Sequence, residues 1–291
     1  MKILVAGKNG QVGQSLVSIL EQQEEVTFLA LGREELDITD ISQVSKCVSS
    51  FKPDVIINAA AYTAVDNAEN EIEAAFLVNR DGARNLAIAA DEHDAAILHI
   101  STDYVFAGDS SGLYTELDTE SPQNVYGRSK QAGEQQVRES CERHIILRTA
   151  WVFSEYGNNF VKTMLRLAQS KKSLGIVADQ FGGPTYAGDI AHALLSVAHS
   201  IYNRKAKFGV YHFSGFPYVS WHEFAQVIFQ RALERGIIST PITLTQLTTE
   251  EYPTLASRPA NSKLNCQKIF EQFAISQSDW RLQLQQIEKY Q

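Results

Sequence analysis

The chain has 291 residues, with 26 Lys+Arg against 34 Asp+Glu and a formal net charge of −8. That length is enough to bury a large core as one elaborated domain or two unequal ones, and the acidic balance without a basic patch argues against a nucleic-acid partner. Cys47, Cys141 and Cys266 are far apart, odd in number and without a C-x-x-C pair, so they read as free thiols in a reducing compartment.

Ile3-Leu4-Val5-Ala6 is too brief for a signal segment, and no apolar run approaches the ~20 residues that span a bilayer, so a cytoplasmic protein with no membrane partner is expected. The same run reads as a buried strand. It enters Gly7-Lys8-Asn9-Gly10-Gln11-Val12-Gly13 and then the helical pattern of Leu16, Val17, Ile19 and Leu20. A glycine turn between strand and helix lets a pyrophosphate approach free N–H groups at the helix N-terminus. A tight structural turn is the alternative, and the position at the first strand–helix junction favours the nucleotide.

The next strand, Val26 to Leu31, ends in Gly32-Arg33. An NAD-specific fold often places an acid there, whereas Arg33 suits a 2′-phosphate, so NADPH is expected and NADH stays open. Asp37-Ile38 can flank the adenine, although Asp37 lies close enough to complicate that preference. Val55-Ile56-Ile57-Asn58 is the continuous apolar run of a strand buried on both faces, and Ala59-Ala60-Ala61 leaves room for a ribose or nicotinamide at its end. A small-residue helix start is the other reading. Glu69 to Asp91 reads as one long helical stretch. The strand Ala95 to Ile100 ends in Ser101-Thr102-Asp103-Tyr104, a hydroxyl-rich edge that either bonds a substrate oxygen or is ordinary turn chemistry.

A polar loop, 107–124, delivers the chain to Tyr126-Gly127-Arg128-Ser129-Lys130. Positions i and i+4 are neighbours on a helix, and a cation beside a phenol is expected to lower its pKa from ~10 toward the range of a general acid. A helix-surface pair is the bland alternative.

Beyond residue 150 the alternation is less regular. Helices are expected over 160–167, 190–201 and 221–233, with terminal helices over 269–273 and 280–287. Strands are expected at 173–177, at 209–213 returning to the main sheet, and around Thr243 to Leu247. His93, His99, His144, His192 and His212 form no ligand-spaced pair.

In their order, Gly7/Gly10/Gly13, Thr102 and Tyr126/Lys130 resemble an extended short-chain dehydrogenase/reductase. The match narrows with Asn58 to Asp66, Ser101 to Phe106, Asn124 to Gly127, Arg148 to Val152, Gly157 to Phe160, Asp179-Gln180, Gly183-Pro184-Thr185 and Arg258 to Ser262. These blocks run over nearly the whole chain and resemble the dTDP-4-dehydrorhamnose reductase family. The resemblance implies an α/β, Rossmann-type doubly wound parallel sheet with a smaller interleaved α/β substrate lobe. Residues 1–150 would bind the dinucleotide, with segments near 186–215 returning to them, and residues 151–291 would mainly bind substrate.

It further implies NADPH-dependent reduction of the C4 ketone of dTDP-4-dehydro-L-rhamnose. Thr102, Tyr126 and Lys130 would be catalytic. Gly7, Asn9, Gly10, Gln11, Val12, Gly13, Arg33, Asp37, Ile38, Ala59, Ala60, Ala61, Tyr126 and Lys130 would hold the cofactor. Thr102, Asp103, Tyr126, Trp151, Asn159, Arg258 and Asn261 would hold the nucleotide sugar, with Trp151 as pocket floor or core residue and Arg258 as a diphosphate fork. Some relatives hold magnesium at a dimer interface through acids. Ser15 and Gly188, with Asp189 adjacent, stand at those places here, so no metal is expected, and the chain is expected to be a monomer or homodimer. A non-catalytic subunit resembling the methionine adenosyltransferase β subunit, and another nucleotide-sugar reductase or epimerase, remain the competing readings.

Overall fold

The computed structural model describes all 291 residues. In chain order the first half runs β1 (Lys2–Ala6), α1 (Gln11–Leu20), β2 (Thr27–Leu31), α2 (Ile41–Phe51), β3 (Val55–Asn58), α3 (Ala83–Glu92), β4 (Ala96–Thr102), α4 (Val125–Ser140) and β5 (His144–Thr149). The second half adds α5 (Phe160–Ala168), β6 (Ser173–Val177), α6 (Ala187–Tyr202), β7 (Gly209–His212), α7 (Trp221–Glu234) and β8 (Thr243–Leu247).

Six strands form one parallel sheet in the order β7-β5-β4-β3-β1-β2. Alternate residues of each strand serve opposite faces. Ile3, Val5, Ile57 and Leu98 pack with Leu16 and Leu20 of α1 and Ile190, Leu194 and Val197 of α6. Leu4, Ile56, Ile97 and Ile146 pack with Val44 and Val48 of α2, Leu86 of α3 and Val137 of α4. With both faces covered, the strands are mainly apolar, as suits a parallel sheet, with polar residues such as Asn58, Thr102 and Thr149 at their C-terminal ends. Leu16 is fully buried, and truncating such a side chain to alanine costs about 2–5 kcal/mol.

Because β2 and β3 flank β1, the chain reverses its winding direction there. The C-terminal ends of β1 and β3 therefore open a crevice in which such sheets bind ligands. A second core lies apart, built from Phe153, Val161, Met164, Phe224, Ile228 and Trp280. There β6 and β8 pair in parallel under α7. After residue 150 the chain thus contributes to both cores, with α6 and β7 on the main sheet.

The stretch expected as one helix over Glu69 to Asp91 is interrupted. Short helices at Val65–Ala68 and Ile72–Phe76 lead into a π-helical turn, Leu77–Gly82, before α3. Asn79 is buried inside that turn. Its side chain accepts from Tyr62 N (2.8 Å) and donates to Tyr62 O (3.0 Å) and Ser129 Oγ (2.9 Å). Asn79 thereby ties the loop after β3 to the helix bearing Tyr126, and π-helical turns of this kind recur at functional sites.

Candidate active site

Gly7 has φ +88°, a left-handed conformation, and a Cβ there would meet Ala60 N at 2.5 Å. Glycine alone lets the β1 turn touch the Ala59–Ala61 segment. Gly13 works differently, since its missing Cβ admits the Gly7 carbonyl and seats α1 against the turn. Gly10 caps α1 without any side-chain bond, leaving the first-turn N–H groups free for an anion.

A cavity of about 540 Å³ lies along this turn, lined by Gly7, Asn9, Gly10, Arg33, Asp37 and Ala59, among others. Ile38, Ala60 and Ala61 line it too. Arg33 is exposed at its rim and makes no ion pair, whereas neighbouring Glu35 is taken by Lys8 at 2.6 Å. Asp37 accepts from Thr39 N (3.0 Å) and Thr39 Oγ1 (2.7 Å). An uncapped helix end, a glycine cradle and an unpaired arginine fit a phosphorylated dinucleotide.

The cleft continues past Asn9, Gly10 and the three alanines to a second chamber, walled by Gln11, Val12, Thr102, Asp103, Tyr126 and Lys130. Asn124 caps α4 by accepting from Gly127 N (2.7 Å). Gly127 lets the helix close on the turn Asp103–Val105 after β4, since a Cβ there would stand 2.3 Å from Tyr104 O. Tyr126 is thereby set beside Thr102, while Tyr104 packs edge-on against it with ring centroids 5.5 Å apart.

The electrostatics differ from the sequence expectation. Burial pushes Tyr126 up to about 12, against a pull from the Thr102 hydroxyl, so the phenol is a weaker acid than free tyrosine. Lys130 is not among the causes of this shift; its Nζ donates to Ile100 O (2.7 Å) and lies 3.4 Å from His99 Nε2. Burial brings Lys130 itself down to about 8, with Glu134 opposing. Asp103 is buried and pushed up to about 6, while Thr102 Oγ1 donates to one of its oxygens (3.0 Å) and Ser262 Oγ to the other (2.5 Å).

Tyr104 and Trp151 lead on to a third chamber, where Trp221, Phe160, Gln180 and Arg258 stand. Trp151 has φ +50°, costly for a bulky residue, and its indole stacks on Trp221 with centroids 3.5 Å apart and planes 9° apart. Arg258 pairs with Asp66 at 2.6 Å, and its Nη1 is buried without a protein partner. That nitrogen is a free donor for an anionic ligand.

Asn159 and Asn261, expected as substrate contacts, serve as braces in this structure. Asn159 caps α5 and donates to Ser154 O (2.7 Å) and Gln11 Oε1 (3.1 Å). Asn261 donates to Ser110 O and Gly112 O, both at 2.7 Å. Their amide hydrogens are committed to holding loops. Trp221, Asp66 and Ser262, by contrast, belong to the cleft although the sequence reading gave them no individual role. Trp221 resembles any apolar helix residue in sequence; Asp66 and Ser262 sat inside resemblance blocks whose contacts form only on folding.

A family model described as RmlD substrate binding domain matches residues 1–290. A dTDP-4-dehydrorhamnose reductase of Aggregatibacter actinomycetemcomitans is 50% identical over 290 residues, covering 99% of both chains. The chain belongs to the dTDP-4-dehydrorhamnose reductase family. An Escherichia coli K12 relative of the same name is 39% identical, covering 97% of this chain and 95% of that one. The crystal structure of a Bacillus anthracis dTDP-4-dehydrorhamnose reductase in complex with NADP superposes with a TM-score of 0.90 at 38% identity, covering 99% of this chain and 98% of that one. The family fold is thus the doubly wound parallel sheet described above. No helix is long and apolar enough to cross a membrane.

Proposed function

We infer that the chain reduces the C4 ketone of dTDP-4-dehydro-L-rhamnose to the alcohol of dTDP-L-rhamnose, with NADPH as reductant. One observation carries the reading: Thr102, Tyr126 and Lys130 share the central chamber of a cleft whose ends suit a dinucleotide and a nucleotide diphosphate. The membership of the chain in the reductase family agrees with it.

NADPH, when bound, supplies the hydride. The glycine turn and the α1 N-terminus would hold its pyrophosphate, and Arg33 its 2′-phosphate. Tyr126 donates its proton to the ketone oxygen as negative charge develops there. A phenol at about 12 keeps that proton at neutral pH until a strong acceptor arrives. Thr102, whose hydroxyl rests on Asp103, turns to the same oxygen and orients it. Lys130 supplies positive charge behind the phenol. Arg258 offers its free Nη1 to the diphosphate, and the stacked indoles give the substrate an apolar wall.

We further propose the division already outlined, with residues 1–150 and the returning segments near 186–215 for the dinucleotide and residues 151–291 mainly for substrate. The same reading places the protein in the cytoplasm as a monomer or homodimer. The test is to incubate the chain with NADPH and dTDP-4-dehydro-L-rhamnose and identify the sugar by NMR. The reading requires dTDP-L-rhamnose and one NADPH consumed per product; an isomerised ketone without NADPH consumption would favour an epimerase.

A further inference from the structure

His99 takes no part in the chemistry above, yet it is a fully buried titratable group against Lys130. It sits on β4 directly opposite Asn58 of β3. Asn58 has no freedom to choose its orientation, because its Oδ1 accepts from Ala60 N at 3.1 Å. Its Nδ2 must then point to His99 Nδ1, 3.0 Å away, making that ring nitrogen the acceptor. Burial first, and then the Lys130 charge, hold His99 well below its ordinary value, so the ring is neutral and carries one proton. That proton is on Nε2, facing Lys130 Nζ.

We propose that His99, fixed as the Nε2–H tautomer by Asn58, is a positioning residue that presses an N–H dipole against Lys130, holding the amine on the Ile100 carbonyl and loosening its proton. The ammonium has only donors, so a second donor opposite it favours the amine, whose lone pair can accept from Nε2–H. The chain from Ala60 through Asn58 and His99 also links the alanine segment at the cofactor end of the cleft to the lysine behind Tyr126.

The charged groups around the pair leave this relation intact. Glu134, one turn along α4, raises the affinity of Lys130 for its proton but is itself taken by Arg148 from β5 (2.6 Å). Tyr126 stands one turn before Lys130, and Asp103, at the end of β4, is occupied by Thr102 and Ser262. His144 of β5 bonds Cys141 O (2.6 Å), Asp54 before β3 accepts from Lys2 N (2.6 Å), and Arg84, Asp91 and Glu92 of α3 are exposed. The consequence for catalysis rests on the reductase reading; the tautomer and the lysine titration do not.

The test uses the full chain without ligands, labelled with ¹⁵N-histidine and ¹³C-lysine, with Lys130→Arg to assign the lysine signal. The expected result is a bare Nδ1 and a protonated Nε2 on His99 across pH 6–9. In His99→Phe, which keeps a ring but removes the N–H, the Lys130 titration should rise by roughly 0.5–1 pH unit, and the alkaline limb of kcat should follow it. An Nδ1–H tautomer or an imidazolium in the unsubstituted protein would overturn the proposal even if His99→Phe failed to fold. So would an unmoved Lys130 titration in a folded variant. Lack of turnover by the unsubstituted protein would count against the reductase reading alone and leave both NMR readouts decisive.

Discussion

Asp66 and Arg258, 192 positions apart in sequence, meet in a 2.6 Å ion pair on the wall of the third chamber. The pair joins the short helix Val65–Ala68 to the Arg258–Ser262 segment and spends one arm of the guanidinium, leaving Nη1 buried and unpartnered. Ala256 N also donates to Asp66, at 3.1 Å, and Asn124 Nδ2 donates to Ser257 O at 2.8 Å, so the approach to the segment is tied down on both sides of Ser257. A fork held in this way is ordered before an anion arrives, which lowers the entropic cost of binding it.

Replacing Arg258 should therefore weaken binding of the substrate more than the chemical step. Arg258→Lys keeps the charge and loses the fork. Its KM for the nucleotide sugar should rise on the order of 10-fold with kcat within a few-fold. Steady-state rates measure both, and an unchanged KM would remove Arg258 from the substrate site.

Arg33 is tested by cofactor choice. It stands exposed at the rim of the dinucleotide cavity without an ion pair. Arg33→Ala should weaken NADPH binding by about 10-fold, the scale of one charge-assisted contact, with NADH little affected. Fluorescence titration of the two cofactors makes the comparison, and equal losses would assign Arg33 to the general surface.

Asp103 carries a pH signature. Its folded value, about 6, lies above the ordinary 3.8 because burial penalises the carboxylate, with the Ser262 and Thr102 hydroxyls only partly compensating. A group raised on folding contributes stability that is fully present below its unfolded value and lost as pH rises through the folded one. Asp103→Asn removes that dependence. The Tm of the variant relative to the unsubstituted chain should climb by a few degrees between about pH 4 and pH 7. A difference that stays flat across this window would show that Asp103 ionises normally.

How much of this was legible beforehand follows from how local each signal is. The sheet strands announce themselves as continuous apolar runs, and the glycine turn and Tyr126/Lys130 carry spacings with a physical meaning. The π-helical turn was not legible, and the contacts of Asn79 with Tyr62 and Ser129 that accompany it exist only once α4 is packed. The direction of the Tyr126 shift failed for a related reason. Sequence spacing gives the proximity of Lys130 but neither the burial of the phenol nor the capture of Nζ by Ile100 O. The bracing bonds of Asn159 and Asn261 were not legible either, because an asparagine in a loop looks alike in sequence whether it faces a ligand or ties down backbone.

The central claim is that Tyr126 protonates a ketone reduced by NADPH in the middle chamber. The most direct measurement is the loss of NADPH absorbance when dTDP-4-dehydro-L-rhamnose is added to the unsubstituted chain and to Tyr126→Phe, with cofactor affinity measured for both. The account predicts turnover by the first, a loss on the order of 10²–10⁴ in kcat for the second, and NADPH binding nearly equal in the two. Turnover by Tyr126→Phe within a few-fold of the unsubstituted chain, or no turnover by either, would contradict it.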